Sequence, residues 1–472
     1  MFTLAMHALL ISTYELGRQP FGLASPAAWL RAAGWDVTCV DISRDRLRRE
    51  AIQRADVIGI HLPMHTATRL AGPVISAIKP INPSARLCAY GLYAPLNEQW
   101  LRSLGVDAVF GGEFEEDLTR FAGLKACTTT ASENVRSAGL QACQTTVPRL
   151  RFLVPDRAGL PPLRSYATLH LGDGRTKVVG ATEASRGCKH LCRHCPVVPI
   201  YGGQFRVVPA DVVLADIDAQ IGAGAEHISF GDPDFFNGPT HAMRVVEALH
   251  AAHPDLTYDV TIKIEHLLRH RDLLSDLVRT GCAFVTSAVE SIDDDVLARL
   301  EKGHTRDDFA TAATLCRDAG LTLTPTFVAF HPWVSLDGYC DLLECVQDLD
   351  LVDHVAPIQL AIRLLIPRGS RLLELDEVRA LVGPFDGNTL AYPWSHSDPR
   401  VDELQRDVSH IVGVRTAGDR RAVFAEIAAV AFERAGRQRR PILPQRTRAA
   451  VPHLSEPWYC CAEPNPDHLA LV

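Results

Sequence analysis

Long apolar runs are missing from this 472-residue chain. None approaches the roughly 20 residues needed to cross a bilayer, and no basic segment followed by an apolar stretch and a cleavage site opens the sequence. Both absences lead to the expectation of a cytoplasmic protein with no membrane partner. A basic excess is missing too: 48 Lys and Arg stand against 56 Asp and Glu, a formal net charge of −8, which argues against dedicated nucleic-acid binding. A disulfide framework is also lacking. The 13 cysteines are odd in number and mostly scattered singly, which fits a reducing compartment. Cys39, Cys88, Cys282, Cys316 and Cys345 are expected to be core thiols. What is present is ample core material, with 47% hydrophobic and 22% charged residues. The length calls for roughly two to four domains.

One local cluster of chemistry stands out, Gly187-Cys188-Lys189-His190-Leu191-Cys192-Arg193-His194-Cys195. A [4Fe–4S] cluster is normally held by four thiolates, so three local ones leave an iron open to a small molecule. A structural zinc knot is the bland alternative, but it usually shows four ligands, and no fourth Cys or His stands out nearby. The CxxxCxxC spacing, with the preceding Ser185-Arg186-Gly187, resembles the signature of the radical S-adenosylmethionine (SAM) superfamily. That resemblance implies Cys188, Cys192 and Cys195 as cluster ligands, SAM chelated at the open iron, and reductive cleavage of SAM to a 5′-deoxyadenosyl radical.

Ahead of this motif, residues 1–121 alternate short apolar strands with amphipathic helices: Ala8–Ser12, Asp36–Ile42, Ala55–Leu62, Arg86–Tyr90 and Val106–Phe110. Strands separated by helical spacers imply right-handed crossovers and a parallel doubly wound, Rossmann-like sheet with ligands at its carboxyl edge. The layout, ending in Gly105 to Glu116, resembles the cobalamin-binding domain fused ahead of many radical SAM enzymes. Where such domains carry a cobalt-ligating Asp-x-His-x-x-Gly motif, this chain reads Ser12-Thr13-Tyr14-Glu15-Leu16-Gly17 without histidine. The resemblance therefore implies a cobalamin whose lower face is not held by a protein histidine. Fold alone leaves open a domain that serves as scaffold. His61 and His65, at the end of the third strand, are either ligand-facing or ordinary loop histidines. Residues 122–165 lose periodicity and read as a linker.

From residue 166 to 372 strands and helices alternate again, with strands at Val178–Ala184, His227–Phe230, Leu256–Ile264, Ala283–Val289, Leu323–Ala329 and Ala356–Leu365. The superfamily resemblance makes these units a partial (β/α)6 TIM-type barrel, with its site at the carboxyl ends of the strands. Polar residues there become candidates. Asp232, in Gly231-Asp232-Pro233-Asp234, occupies the place of the turn that receives the SAM amino group. Glu290 and Ser291 open a run through Lys302-Gly303-His304-Thr305 that resembles the superfamily closely, and it implies that Glu290 accepts the SAM ribose hydroxyls. Lys263 and Glu265 flank Ile264, so period-two alternation aims both at one face, toward SAM or substrate or as a structural ion pair. Arg363 is a candidate for the SAM carboxylate, and His194 replaces the aromatic residue that packs on adenine.

Residues 373–472 read as a small, mostly helical extension, with helical spacing over Asp402–Ile411 and Arg421–Ala435. Its end, Trp458-Tyr459-Cys460-Cys461-Ala462-Glu463-Pro464, resembles the CUAEP/CCAEP-tail radical SAM proteins, some of which carry selenocysteine at the second cysteine position. The resemblance implies chemistry at Cys461, with Cys460 and Cys461 as a redox pair, metal ligands or carriers of an intermediate. Together these readings predict a radical SAM enzyme acting on a small-molecule or peptide substrate. Its partner is an external electron donor such as flavodoxin or ferredoxin, and cobalamin-dependent methyl transfer is the outcome if the first domain holds its corrinoid. The alternative is a non-catalytic iron–sulfur protein that senses redox state or delivers electrons or metal.

Overall fold

The computed structural model describes residues 6–123, 151–414, 419–441 and 451–456. The first sheet comprises β1 (His7–Ser12), β2 (Asp36–Asp41), β3 (Val57–His61), β4 (Arg86–Tyr90) and β5 (Ala108–Phe110), all parallel, in the order β2-β1-β3-β4-β5. β1 and β3 are buried at every position because helices cover both faces, which is why they read as continuous apolar runs rather than alternating ones. The strand order reverses direction between β1 and β3, so the crevice of this doubly wound sheet opens at their carboxyl ends. All five strands lie where the sequence predicts them, with edges shifted by at most two residues.

The second sheet begins with β6 (Thr168–His170) and β7 (Thr176–Thr182); a short antiparallel ribbon of β8 (Ser185–Gly187) and β9 (Phe205–Val207) then leads into β10 (His227–Phe230), β11 (Thr257–Thr261), β12 (Cys282–Glu290) and β13 (Leu323–Phe327). β7 and β10 to β13 are parallel, and β14 (His453–Leu454) closes the far edge on β6. The resulting order, β13-β12-β11-β10-β7-β6-β14, is the curled partial barrel.

Two of the expected strands come out differently. The predicted sixth strand, Ala356–Leu365, is a 3-10 helix over Pro357–Leu360, and only a single parallel bridge, Phe330 to Arg363, continues the curl. Pro357 cannot donate to a ladder, and the apolar residues beyond it, Ile362, Leu364 and Ile366, pack into the core of the first sheet. β11 ends at Thr261, and the helix Ile264–Arg269 starts where the strand was expected to continue.

The two sheets are joined by packing and charge. One apolar cluster takes Leu9, Ile58 and Ile60 from the first sheet together with Val296, Val328 and Leu364. Arg157, in the segment leading into the barrel, pairs with buried Asp216 at 2.9 Å and donates to Gln19 Oε1 at 3.0 Å. The helices Pro399–Val414 and Arg420–Ala435 bury Leu404, Val408, Phe424 and Ile427 in the same core as the barrel strands, so the C-terminal extension is packed into the barrel's wall. The cysteines expected in the core are all buried. No helix among the described residues is long and apolar enough to cross a membrane.

Candidate functional site

The carboxyl ends of both sheets open onto one cavity of about 320 Å³. Leu16, Phe21, His61, Tyr93 and Phe114 line it from the first sheet, and Cys188, Cys192, Cys195, Lys263, Glu290 and Lys302 from the barrel. The loop that carries the three cysteines is set by its backbone. Gly187 ends β8 at φ 75°, where a Cβ would lie 2.5 Å from the Gln204 carbonyl oxygen and the Tyr201 ring, so only glycine makes that turn. Asn237 clasps the loop by accepting from the Lys189 amide at 3.2 Å and donating to the Gly187 carbonyl at 3.3 Å. On the other side the Arg193 amide donates to the Leu300 carbonyl at 3.0 Å, and the Arg193 side chain pairs with Glu301 at 2.6 Å.

Two lysines supply positive charge to the thiols. Lys263 Nζ stands 3.9 Å from Cys192 Sγ. Lys302 is buried, which disfavours its charge, yet Glu290 and the thiols of Cys192 and Cys195 hold its ammonium pKa above the usual value. Burial pushes the Cys188 thiol up to about 11, a cost that metal ligation reverses by taking the proton away. Three thiols on one cavity wall with two lysines behind them fit a thiolate-ligated cluster with a net negative charge.

Glu290 sits at the end of β12 with φ 72°, a left-handed backbone that a non-glycine residue adopts only when its surroundings hold it there. Its Oε1 faces His194 Nε2 at 3.0 Å and Lys302 Nζ at 3.4 Å. Burial alone raises the pKa of such a carboxyl, but Lys302 and His194 outweigh it and bring Glu290 down to about 2. A carboxylate lowered in the fold adds stability above its unfolded pKa, and that stability disappears as pH falls through the folded value. The unfolding free energy of wild type minus that of Glu290→Gln is therefore expected to shrink as pH drops from about 4.5 toward about 2, as measured by denaturant titration of the apoprotein.

Several predicted residues lie elsewhere. Asp232 does not face the cavity, though Gly231 and Pro233 do. Its carboxylate accepts from Ser185 Oγ at 2.5 Å and the Ala184 amide at 2.9 Å, bracing the turn between β7 and β8, and burial pushes it up to about 7. Ser291 caps the turn after β12 by accepting from the Asp293 amide at 3.1 Å. Because β11 ends early, Lys263 and Glu265 do not share a strand face. Lys263 turns to the cavity while Glu265 pairs with it at 3.8 Å and with Arg269 at 2.6 Å. Arg363 is taken by Asp402 at 2.7 Å and lies 3.6 Å over the Trp394 ring, anchoring the C-terminal segment rather than the cavity. His61 lines the cavity, whereas His65 is buried in the helix His65–Ile81 and pushed down to about 3 by desolvation. Cys460 and Cys461 lie outside the described residues.

Other contributors had no assignment from sequence. Lys302 is one, and its signal was the Lys-Gly-His-Thr run that contains it. Arg186 is another. Its Nη2 meets Glu115 of the first domain at 2.7 Å, its Nε meets Glu183 at 2.7 Å, and Phe21, Phe114 and Phe152 surround its guanidinium. Arg186 lines the cavity, and its Nη1 is buried without a hydrogen-bond partner among the described residues. Across from it, His61 lies 3.4 Å from Glu15 and so close to Gly22 that a Cβ there would be 2.0 Å from the ring. Gly22 leaves the space that the His61 ring fills, and the apolar residues Leu16, Phe21, Tyr93 and Phe114 at the carboxyl edge of the first sheet fit the face of a large ligand such as a corrinoid.

Comparison with known proteins agrees with this division. The model of the B12 binding domain matches residues 8–122, and that of the radical SAM superfamily matches residues 182–341. A radical SAM domain follows a B12-binding domain in this chain. Among curated relatives, the bacteriochlorophyllide d C-8(2)-methyltransferase of Chlorobaculum tepidum is 26% identical over 209 residues, 41% of this chain and 46% of the relative. The hopanoid C-3 methylase of Methylococcus capsulatus is 24% identical over 32% of this chain and 29% of its own length. The chain thus spans less than half the length of these relatives. Among solved structures, the cobalamin-dependent SAM radical enzyme OxsB with aqua-cobalamin bound superposes with a TM-score of 0.68 at 14% identity, over 91% of this chain and 72% of that one. The radical SAM methyltransferase TsrM from Kitasatospora setae reaches 0.56 at 16% identity, over 74% and 71%. At these identities the two structures establish the fold.

Proposed function

We propose that this protein is a cobalamin-dependent radical SAM enzyme that transfers a methyl group to an unactivated carbon of a small-molecule or peptide substrate, drawing electrons from a flavodoxin- or ferredoxin-type donor. The observation that carries the reading is the single cavity with three cysteines on its barrel side and the carboxyl edge of a doubly wound sheet on the other. Bound there, a [4Fe–4S] cluster, SAM and a corrinoid supply reductive SAM cleavage and methyl transfer. The chain's own residues position them. Cys188, Cys192 and Cys195 ligate the cluster, and Lys263 and Lys302 offset its charge. Glu290, ionised and held by His194, is placed to accept ribose hydroxyls. Arg186, paired with Glu115, fixes the wall where the two sheets meet, and the apolar walls from Leu16, Phe21 and Phe114 exclude water.

Anaerobic purification with cobalamin supplied, followed by a visible spectrum and metal analysis, tests the reading. About four irons and about one corrinoid per chain are expected, with 5′-deoxyadenosine or methionine formed on adding SAM and dithionite. A chain without corrinoid removes the methyl-transfer part. An intact cluster that leaves SAM uncleaved removes the enzyme and returns the non-catalytic iron–sulfur reading.

Cys460 and Cys461 enter this proposal as a redox or ligand pair. Glu456, a few residues before them, is held by Tyr14 at 3.1 Å and Arg44 at 2.9 Å, next to the Glu15–Arg18 loop that rims the cavity. Oxidation by a mild disulfide reagent is expected to consume both thiols without loss of the cluster, counted by thiol titration. An equal number of thiols consumed in wild type and in the C460S/C461S variant would rule out the redox pair.

A further inference from the structure

Beside the cysteine loop, outside the cavity, three metal-ligating side chains meet. His190 lies within the loop, between Cys188 and Cys192. Asp234 lies in the turn after β10, and His266 in the helix Ile264–Arg269 that follows β11. His266 Nδ1 is 2.7 Å from Asp234 Oδ2, His190 Nε2 is 3.6 Å from the same oxygen, and the two imidazole Nε2 atoms are 3.3 Å apart. One ligand atom from each residue falls within 4.8 Å of the others. Asp234 and His266 have no exposed side-chain surface, and His190 is only 15% exposed.

The hydrogen bonding in this cluster is incomplete. Asp234 Oδ1 accepts from the Phe236 amide at 3.2 Å, but Asp234 Oδ2 and His266 Nδ1 have no hydrogen-bond partner among the described residues. They approach each other to 2.7 Å without the alignment that a proton between them requires. A buried carboxylate oxygen left without a donor is expensive, and a cation resolves the cost. Ligand atoms about 2.0–2.1 Å from a tetrahedral metal stand about 3.3 Å from each other. With His266 binding through Nδ1, its 2.7 Å approach to Asp234 Oδ2 opens by about 0.6 Å and the 3.6 Å from His190 Nε2 to that oxygen closes by about 0.3 Å, small side-chain shifts within a cluster whose ligand atoms already fall within 4.8 Å. Glu265 Oε2 lies 3.7 Å from His190 Nδ1, a carboxylate on the outer side of that imidazole.

We propose that His190, Asp234 and His266 bind one divalent transition-metal ion, zinc being the reference ion for a nitrogen and oxygen donor set of this kind. The ion joins the cysteine loop to the turns that follow β10 and β11. It is separate from the thiolate site and does not depend on the reading of Cys188, Cys192 and Cys195.

The test is metal analysis of the full chain purified anaerobically from zinc-supplemented medium. About one zinc per chain is expected in wild type and in the triple variant C188A/C192A/C195A, which removes the thiolate site. Asp234→Asn and His266→Gln are expected to lower zinc by about tenfold or more while the iron content on reconstitution stays near that of wild type. Zinc absent from wild type, zinc lost in the triple variant, or zinc unchanged in Asp234→Asn and His266→Gln each overturns the site. Should those two variants fail to fold, wild type decides: stripping zinc with a chelator is expected to lower its melting temperature and re-addition to restore it. A melting temperature indifferent to zinc counts against the site.

Discussion

Cys192→Ser is expected to abolish the visible absorption of the reconstituted cluster and to lower SAM cleavage on the order of a thousandfold or more, since the cofactor carries the chemistry. Fold and corrinoid content should change little, because the loop is held by contacts other than its thiols. Gly187, Asn237 and the Arg193–Glu301 pair keep its shape whatever stands at position 192. Cys192 is the most informative of the three positions. It is buried, both lysines face it, and a serine hydroxyl there neither ionises near neutral pH nor replaces a soft ligand. Iron and sulfide analysis with a 5′-deoxyadenosine assay checks the result. A variant that retains about four irons and full SAM cleavage would show that the cluster is held elsewhere.

The second large effect is on stability. Arg186→Met is expected to cost about 3–5 kcal/mol, read from denaturant unfolding, because it leaves the fully buried Glu115 without its cation. Methionine fills much of the space among Phe21, Phe114 and Phe152, so the loss reports charge more than packing. The double variant Glu115→Gln/Arg186→Met is the control. Removing the stranded charge should recover a large part of the loss, whereas a purely steric role for Arg186 would make the two substitutions additive. Glu183, 27% exposed and lining the cavity, is the less buried of the two carboxylates and contributes less.

Much of this architecture was legible in sequence because the first sheet and the barrel strands β7 and β10 to β13 are parallel and covered, so their strands stand out as apolar runs between helices. The first sheet follows that logic throughout. The barrel follows it until Ile264 and Pro357, where local chemistry overrides the run: a helix begins inside one apolar stretch, and a proline breaks the other. Those two departures account for Glu265 and Arg363, whose side chains were aimed by strand geometry that does not form. The cysteines, singled out by their spacing, and Glu290 and His194, singled out by the resemblance, all line the cavity. Lys302, Arg186 and the histidine and aspartate pair around His190 were not assigned, since their roles arise from residues distant in sequence: Glu290 for Lys302, Glu115 for Arg186, His266 for His190. A sequence shows the charges but not which of them are buried together.

The Glu115–Arg186 contact has a thermodynamic consequence. Glu115 begins the helix after β5, while Arg186 immediately precedes Gly187 and Cys188, so one ion pair belongs at once to the cradle of the first ligand and to the hinge of the second. Occupancy on either side that tightens this pair must, by reciprocity, favour occupancy on the other by the same factor. Corrinoid affinity measured with and without the cluster is therefore a linked quantity, and the order in which the two are loaded cannot change the assembled state.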